Sequence, residues 1–128
     1  MKRVLVADDD AAVIEVLRAN LEAEGYGVLI ARDGDETWDL IRTESPDLVV
    51  LDVMMPGRDG LDVLAAIRAA PATSALPVVL LTARAGDDEI WAGWQAGANY
   101  YLTKPFQIEE LLRYLRYLSG HEDVQIPT

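Results

Sequence analysis

Aspartates in this chain stand where short apolar runs end. Asp8, Asp9 and Asp10 directly follow one run, and Asp52 directly follows another, where it could also be an ordinary turn residue. A helix N-cap explains one of the first three, and we assign that role to Asp10. The other two are like charges at the end of a predicted buried strand, where each raises the pKa of the other unless a cation lies between them. Asp8, Asp9 and Asp52 are therefore a candidate cation site.

Other polar residues at predicted strand ends would complement this site. Three oxygen donors with no histidine or cysteine suit a hard divalent cation that keeps several waters, which favours Mg²⁺ over zinc. Lys104, one of only two lysines, precedes Pro105 in an apolar segment, and its desolvated ammonium needs an anion. Thr82 ends a further apolar run, although a lone threonine there is usually structural. A metal, a lysine and a hydroxyl together could bind a phosphoryl group carried by a carboxylate.

The elements that would position these residues alternate regularly. Short apolar runs predict strands at residues 4–7, 26–31, 48–51, 77–82 and 100–102. A stretch of helical period follows each strand, and these helices are predicted to end near Gly25, Pro71, Gly97 and Gly120. The first, third and fourth strands are apolar throughout, as parallel strands covered on both faces are. The fold class is therefore α/β, a doubly wound, flavodoxin-like (βα)5 sheet of five parallel strands in the order 2-1-3-4-5.

In such sheets, ligand sites form outside the carboxyl ends of the strands. The first, third, fourth and fifth strands are consecutive neighbours in the predicted order. Their carboxyl ends carry the acidic pair of residues 8 and 9, then Asp52, Thr82 and Lys104. We therefore expect these side chains to converge on one edge of the sheet.

Length and composition exclude several classes of protein. The chain has 128 residues with 22 acidic and 11 basic side chains, a net charge of −11 and no cysteine. This predicts one domain at residues 1–119 with a tail at residues 120–128, and excludes disulfide, zinc-ribbon and thiol chemistry. The acidity argues against binding of this segment to nucleic acid or to an anionic membrane. No apolar run suits a signal peptide or a membrane span, so we expect a cytoplasmic protein.

Four segments carry a resemblance to a known family. They are VLVADDD, LVVLDVMMPGRDG, VVLLTAR and GANYYLTKPF, in the order and spacing of that family. Over about residues 2–119 the sequence resembles the receiver domain of two-component response regulators. The resemblance implies a signalling switch rather than an enzyme, one that catalyses only its own phosphorylation and dephosphorylation.

The resemblance also assigns roles at the site. Asp52 would accept the phosphoryl group. Asp9 and Asp52 would bind Mg²⁺ directly with the backbone carbonyl of Met54, and Asp8 would act mainly through water. Lys104 would contact the phosphoryl oxygens, and the Lys104–Pro105 peptide is expected to be cis.

The remaining implied roles concern the response to phosphorylation. Backbone N–H groups near Met54 and Ala83 would complete the anion site, and Thr82 would swing its hydroxyl toward the phosphoryl group. Tyr101 would rotate inward behind it, so Thr82 and Tyr101 form the implied switch. Met54 and Arg84 stand at positions that tune dephosphorylation in the family.

The phosphoryl donor is expected to be a phosphohistidine on a sensor histidine kinase or a phosphotransfer protein. The only histidine, His121, stands in the predicted tail and is expected to be exposed and inert. The donor must therefore act in trans.

An aromatic output face is a separate expectation, located on the fourth helix, the fifth strand and the fifth helix. Ile90, Tyr100 and Tyr114 replace residues that are commonly charged in transcription-factor members of the family, and Trp94 should face the same surface. Tyr117 could extend it. Either these side chains pack on one another, or they bind a partner or a second copy of the chain.

The sequence is compatible with several functions of the whole protein. The chain could be a stand-alone switch with a protein target, or the regulatory half of a DNA-binding transcription factor whose effector domain lies outside this sequence. A flavodoxin-like FMN carrier is disfavoured because the ADDDAAV loop is acidic where phosphate needs glycine and hydroxyls. A Mg²⁺-dependent phosphohydrolase would want a second acid where Met54 stands. A receiver-like domain that takes no phosphate is disfavoured because no member of the site is missing.

Overall fold

Strands and helices alternate along the chain in a computed structural model that describes residues 1–83 and 92–120. The strands are β1 (Arg3–Ala7), β2 (Gly27–Ala31), β3 (Leu48–Asp52), β4 (Val78–Thr82) and β5 (Tyr100–Thr103). The helices are α1 (Ala11–Ala23), α2 (Gly34–Glu44), α3 (Gly60–Ala69), a helical segment at residues 92–95 that we number α4, and α5 (Ile108–Leu118). Each predicted strand agrees with the observed one to within a residue at either end.

The five strands form one parallel sheet in the order β2-β1-β3-β4-β5, which confirms the predicted fold class. Asp52 at the end of β3 lies opposite Leu81 of β4, and Thr82 lies opposite Thr103 of β5. The carboxyl ends of these neighbouring strands therefore meet at one edge.

Two hydrophobic clusters hold the helices on the two faces of the sheet. Successive side chains of a strand point to opposite faces. On one face, Leu51 and Leu80 pack in a cluster that includes Ile41 of α2 and Leu64 of α3. On the other face, the cluster joins the sheet to the buried leucines of α1 and α5: Leu17, Leu21, Leu111, Leu112 and Leu115. Burial of each such side chain contributes about 1.5–3 kcal/mol.

Aspartates cap the first three helices, α1, α2 and α3, at the carboxyl edge of the sheet. The Asp10 carboxylate accepts the backbone N–H groups of Ala12 and Val13, which confirms its predicted N-cap role. Asp33 caps α2 and Asp59 caps α3 in the same manner. These caps fix where each helix starts relative to the strand before it.

Some predictions fall on residues outside the two described ranges. Ile90 of the predicted output face, Arg84, His121 and all of the tail but Gly120 lie there, so the division into residues 1–119 and 120–128 stays a prediction. Within the described ranges, no helix has the length and apolar character needed to cross a membrane.

Candidate functional site

Three carboxylates converge at the carboxyl edge of the sheet. Asp8 directly follows β1, Asp52 is the last residue of β3, and Asp9 stands at the entrance to the β1–α1 loop. One oxygen from each lies within 4.8 Å of the others. Asp8 is fully buried and Asp52 is 4% exposed, whereas Asp9 is exposed. The sequence-predicted trio is thus one cluster that is open to solvent only on the side of Asp9.

Lys104 supplies the opposite charge. Its Nζ lies 2.9 Å from Oδ2 of Asp8 and 3.4 Å from Oδ2 of Asp52. Its backbone N–H donates to the carbonyl of Thr82, and the following Lys104–Pro105 peptide is cis, as predicted. Burial alone would lower the pKa of Lys104, but the hydrogen bond to Asp8 and the charge of Asp52 outweigh burial and raise it. Lys104 is therefore held as an ammonium between two carboxylates.

The pKa of Asp52 is raised from 3.8 to about 6. Burial is the largest cause, and the charge of Asp8 adds to it. Two groups lower the pKa of Asp52 in part. The N–H of Met54 donates to Oδ1 of Asp52 at 3.1 Å, and the ammonium of Lys104 lies nearby. In the absence of a further cation, Asp52 is consequently a carboxylate whose charge is poorly compensated.

The loop between β3 and α3 is fixed by close backbone contacts. The N–H of Gly60 donates to the carbonyl of Val53 at 2.8 Å, and the N–H of Gly34 on α2 donates to the carbonyl of Pro56 at 3.3 Å. A Cβ on Gly34 would stand 1.8 Å from the carbonyl oxygen of Arg58, so no side chain fits there. The segment that carries Met54 is therefore positioned from both α2 and α3.

A cleft of about 680 Å³ opens beside the carboxylates. Its walls include Asp9 and Met54, together with Thr82 and Tyr101, the two residues predicted to form the switch. Thr82 is fully buried and Tyr101 is half-buried. A small anion entering this cleft would thus meet Asp9 of the acidic cluster and both predicted switch residues.

Sequence reasoning did not single out every residue that shapes the site. Asp59 also lines the cleft, and Gly34 and Gly60 allow the close backbone approaches. The signal was present as two Asp-Gly pairs, residues 33–34 and 59–60, each at the start of a helical period. An aspartate in that position indicates an N-cap, but the sequence does not reveal what the glycine packs against.

The predicted output face is divided between internal packing and exposure. The rings of Tyr100 on β5 and Tyr114 on α5 stack with centroids 4.1 Å apart and an interplanar angle of 11°. Trp94 and Tyr117 are 46% and 45% exposed. Stacking thus accounts for Tyr100 and Tyr114 within the chain, while two aromatic side chains remain available on the surface.

The donor set fits a hard divalent cation. Asp8, Asp9 and Asp52 offer only carboxylate oxygens, and such donors suit Mg²⁺ better than the softer transition metals. A divalent charge beside Asp52 would also lower its pKa, against the effects of burial and of the Asp8 charge that raise it.

Comparisons with known proteins agree with this geometry. The profile of the response regulator receiver domain matches residues 4–116. Response regulator MprA of Mycolicibacterium vanbaalenii is 52% identical over 116 residues, which are 91% of this chain and 49% of that protein. The chain therefore spans about half the length of the curated relatives it matches.

Solved structures give the same relationship. The receiver domain of Francisella response regulator 1452 superposes with a TM-score of 0.88 at 34% identity, covering 96% of this chain and 100% of that one. The receiver domain of the sensor histidine kinase PA1611 from Pseudomonas aeruginosa has a magnesium ion coordinated in its active-site cleft. It superposes with a TM-score of 0.86 at 31% identity, covering 93% of this chain and 98% of that one.

Proposed function

Because this chain belongs to the family of response regulator receiver domains, we propose that it is a signalling switch whose phosphoacceptor is Asp52. The observation that carries this proposal is the position of one carboxylate. Asp52 lies between Lys104, with Nζ at 3.4 Å, and the Met54 N–H at 3.1 Å, beside the open cleft. The unit that switches is residues 1–119, and residues 120–128 form a tail.

The transfer is a displacement at phosphorus. An oxygen of the Asp52 carboxylate forms a bond to the phosphorus of a donor phosphohistidine, and the phosphorus–nitrogen bond breaks to release the imidazole. The chain acts as nucleophile and as scaffold for its own modification. Asp52 must be ionised to attack, so the neighbouring cationic charge that keeps it ionised also prepares it for reaction.

The metal site of this proposal consists of Asp8, Asp9, Asp52 and the backbone carbonyl of Met54. Bound Mg²⁺ supplies charge neutralisation for the transferring group. Lys104, already within reach of Oδ2 of Asp52, contacts the phosphoryl oxygens once they are present. Thr82, which lines the same cleft, provides its hydroxyl to them.

Phosphorylation changes the charge at the carboxyl edge. The phosphoryl group carries nearly two negative charges in place of the single charge of the Asp52 carboxylate, next to the two other carboxylates of the cluster, Asp8 and Asp9. Lys104 and the Thr82 hydroxyl are the groups that can move toward this new charge. Tyr101 lines the cleft beside Thr82, and its displacement carries the change toward α4, β5 and α5.

Partners follow from the chemistry and from the span of the chain. The donor is a sensor histidine kinase or a phosphotransfer protein that acts in trans. The target is either a separate downstream protein or an effector domain of the same protein. The second case applies if the full protein is as long as the curated relatives, about half of whose length this chain covers. With a net charge of −11, this domain itself is not the part that would bind nucleic acid.

Incubation with a small acyl phosphate tests the proposal without a kinase. With Mg²⁺ present, the intact mass should rise by one phosphoryl group, and with a chelator it should stay unchanged. A mass that stays unchanged at saturating acyl phosphate and Mg²⁺ would overturn the proposed function.

A further inference from the structure

Gly93 on α4 faces the aromatic ring of Tyr101. A Cβ built on Gly93 would stand 2.7 Å from Cδ2 and 2.8 Å from Cε2 of that ring, and 3.1 Å from Cδ1 of Leu80. Carbon atoms in favourable contact are about 3.5–4.0 Å apart. The absence of a side chain at Gly93 is therefore a condition for the close approach of the ring to α4.

The Tyr101 ring contacts both the hydrophobic core and the cleft. Tyr101 lies opposite Leu80 in the β4–β5 register and packs against the cluster between the sheet and α2 and α3. It also lines the cleft beside the carboxylates, together with Thr82 and Ala92 of α4. The ring thus stands between α4 and the cleft, so its position affects both.

Glycine is an unfavourable residue in a helix. Alanine favours the folded state over glycine by about fivefold in the folding equilibrium constant at an open helical site. Gly93 is buried, with Ala92 before it and an exposed Gln95 shortly after it in the same segment. The conformation of a helix does not call for glycine there, whereas the ring contact does.

We propose that Gly93 is a positioning residue for Tyr101, and that the missing side chain allows the ring to lie between α4 and the phosphorylation cleft. A methyl group at this position displaces the ring rather than the helix, because the atoms it would meet belong to a side chain that can rotate. The inference rests on the proposed function in one respect, namely that Tyr101 moves when Asp52 is phosphorylated.

A double-mutant cycle tests the contact in the unphosphorylated protein. Gly93→Ala is measured by urea unfolding in the Tyr101 background and in Tyr101→Ala. In Tyr101→Ala, we expect Gly93→Ala to raise the folding equilibrium constant by at most about fivefold, since Leu80 still lies 3.1 Å from the new Cβ. In the Tyr101 background, the effect of Gly93→Ala on this constant should be at least tenfold less favourable. As a calibration, the free energies of unfolding of Gln95→Gly and Gln95→Ala are compared, which gives the preference for alanine over glycine at an exposed site of α4. Equal effects of Gly93→Ala in both backgrounds would overturn the proposal.

Nuclear magnetic resonance follows the ring directly. The wild type should show cross-relaxation between the Tyr101 ring and the α-protons of Gly93, and Gly93→Ala should shift the ring resonances without unfolding the chain. Ring resonances that are the same in both proteins contradict the proposal. These measurements need neither Mg²⁺ nor phosphate, so they are independent of the proposed phosphorylation of Asp52.

The effect on switching is measured with acyl phosphate and Mg²⁺. In Gly93→Ala the chain should still gain one phosphoryl group, while the change in Tyr101 resonances on phosphorylation falls at least severalfold relative to wild type. An undiminished change would overturn the role of Gly93. A wild type that gains no phosphoryl group would overturn the proposed function instead and leave the ring contact to be judged by the cycle.

Discussion

The ammonium nitrogen of Lys104 lies 2.9 Å from Oδ2 of Asp8, and the Asp8 carboxylate is fully buried. A buried carboxylate without a partner is costly, so this ion pair matters to folding as well as to the proposed phosphoryl chemistry. The two residues come from opposite ends of the chain, separated by 96 positions. The pair therefore connects the end of β1 to the loop after β5 at the site itself.

Removal of this lysine should destabilise the protein. We expect Lys104→Met to lower the free energy of unfolding by about 3 kcal/mol in a chelator, because the buried Asp8 carboxylate is left with the Asp10 N–H but no positive charge beside it. Added Mg²⁺ should restore part of the loss by supplying another cation. Arg18→Met is the control, because it breaks a more exposed pair with Glu15 and should cost below about 1 kcal/mol. Urea unfolding that gives equal losses for the two variants would refute this role of Lys104.

The raised pKa of Asp52 predicts a pH-dependent stability. Its pKa is about 6 in the folded protein, against 3.8 ordinarily, so the folded state binds the proton more tightly. The contribution of Asp52 to the free energy of unfolding therefore falls as pH rises from about 4 to about 6, and then levels off. Asp52→Asn removes this loss and, without metal, should be more stable than wild type by about 1–3 kcal/mol near pH 7.

The same comparison near pH 3 provides the internal control, because Asp52 is mostly protonated in both the folded and the unfolded state there and the variant should lose its advantage. Asp59→Asn is a matched change in the same cleft, where asparagine remains a good N-cap for α3. It should have little effect on unfolding at either pH. A gain for Asp52→Asn that is constant with pH would mean that its cause is not the charge of Asp52.

Gly34 should control the loop that carries Met54. In Gly34→Ala the new methyl group meets the backbone of Arg58, and such overpacking costs about 1–3 kcal/mol. Because the loop must shift to relieve the contact, we also expect Mg²⁺ affinity, measured by isothermal titration calorimetry, to fall severalfold. Asp35→Ala is the control, since it removes only the exposed ion pair with Arg58. Unaltered Mg²⁺ affinity in Gly34→Ala would contradict this positioning role.

The exposed aromatic side chains predict self-association on phosphorylation. Aromatic residues are enriched in interface cores, and Trp94 is 46% exposed on α4. We expect light scattering of the phosphorylated wild type to give the mass of two chains, and Trp94→Glu to give the mass of one. Val16→Glu changes a similarly exposed residue, 53% exposed on α1, and should behave as wild type. A wild type that stays at the mass of one chain would refute self-association.

Sequence periodicity was sufficient for the sheet and for the convergence of the acidic residues. Apolar runs closed by Asp8 and Asp52 mark buried parallel strands, and the handedness of the crossovers leaves few possible strand orders. Once the order is known, Lys104 must lie near those carboxylates. The pairing of its Nζ with both of them is then the electrostatic outcome expected for a desolvated ammonium.

Other features depend on contacts that no local pattern encodes. Gly34 and Gly93 are needed because of what approaches them from other elements, the Arg58 backbone and the Tyr101 ring. The sequence is equally compatible with two exposed rings at Tyr100 and Tyr114 and with two rings that stack. Only the packing of β5 on α5 determines that they stack. Such contacts become visible when the register and the helix packing are known in three dimensions.

The central claim, that Asp52 is the phosphoacceptor, is tested most directly by intact mass after incubation with acyl phosphate and Mg²⁺. Wild type and Asp59→Asn should each gain one phosphoryl group, because Asp59 lines the cleft only as a helix cap. Asp52→Asn should gain none under the same conditions. A phosphoryl group on folded Asp52→Asn, at the level seen in wild type, would contradict the assignment.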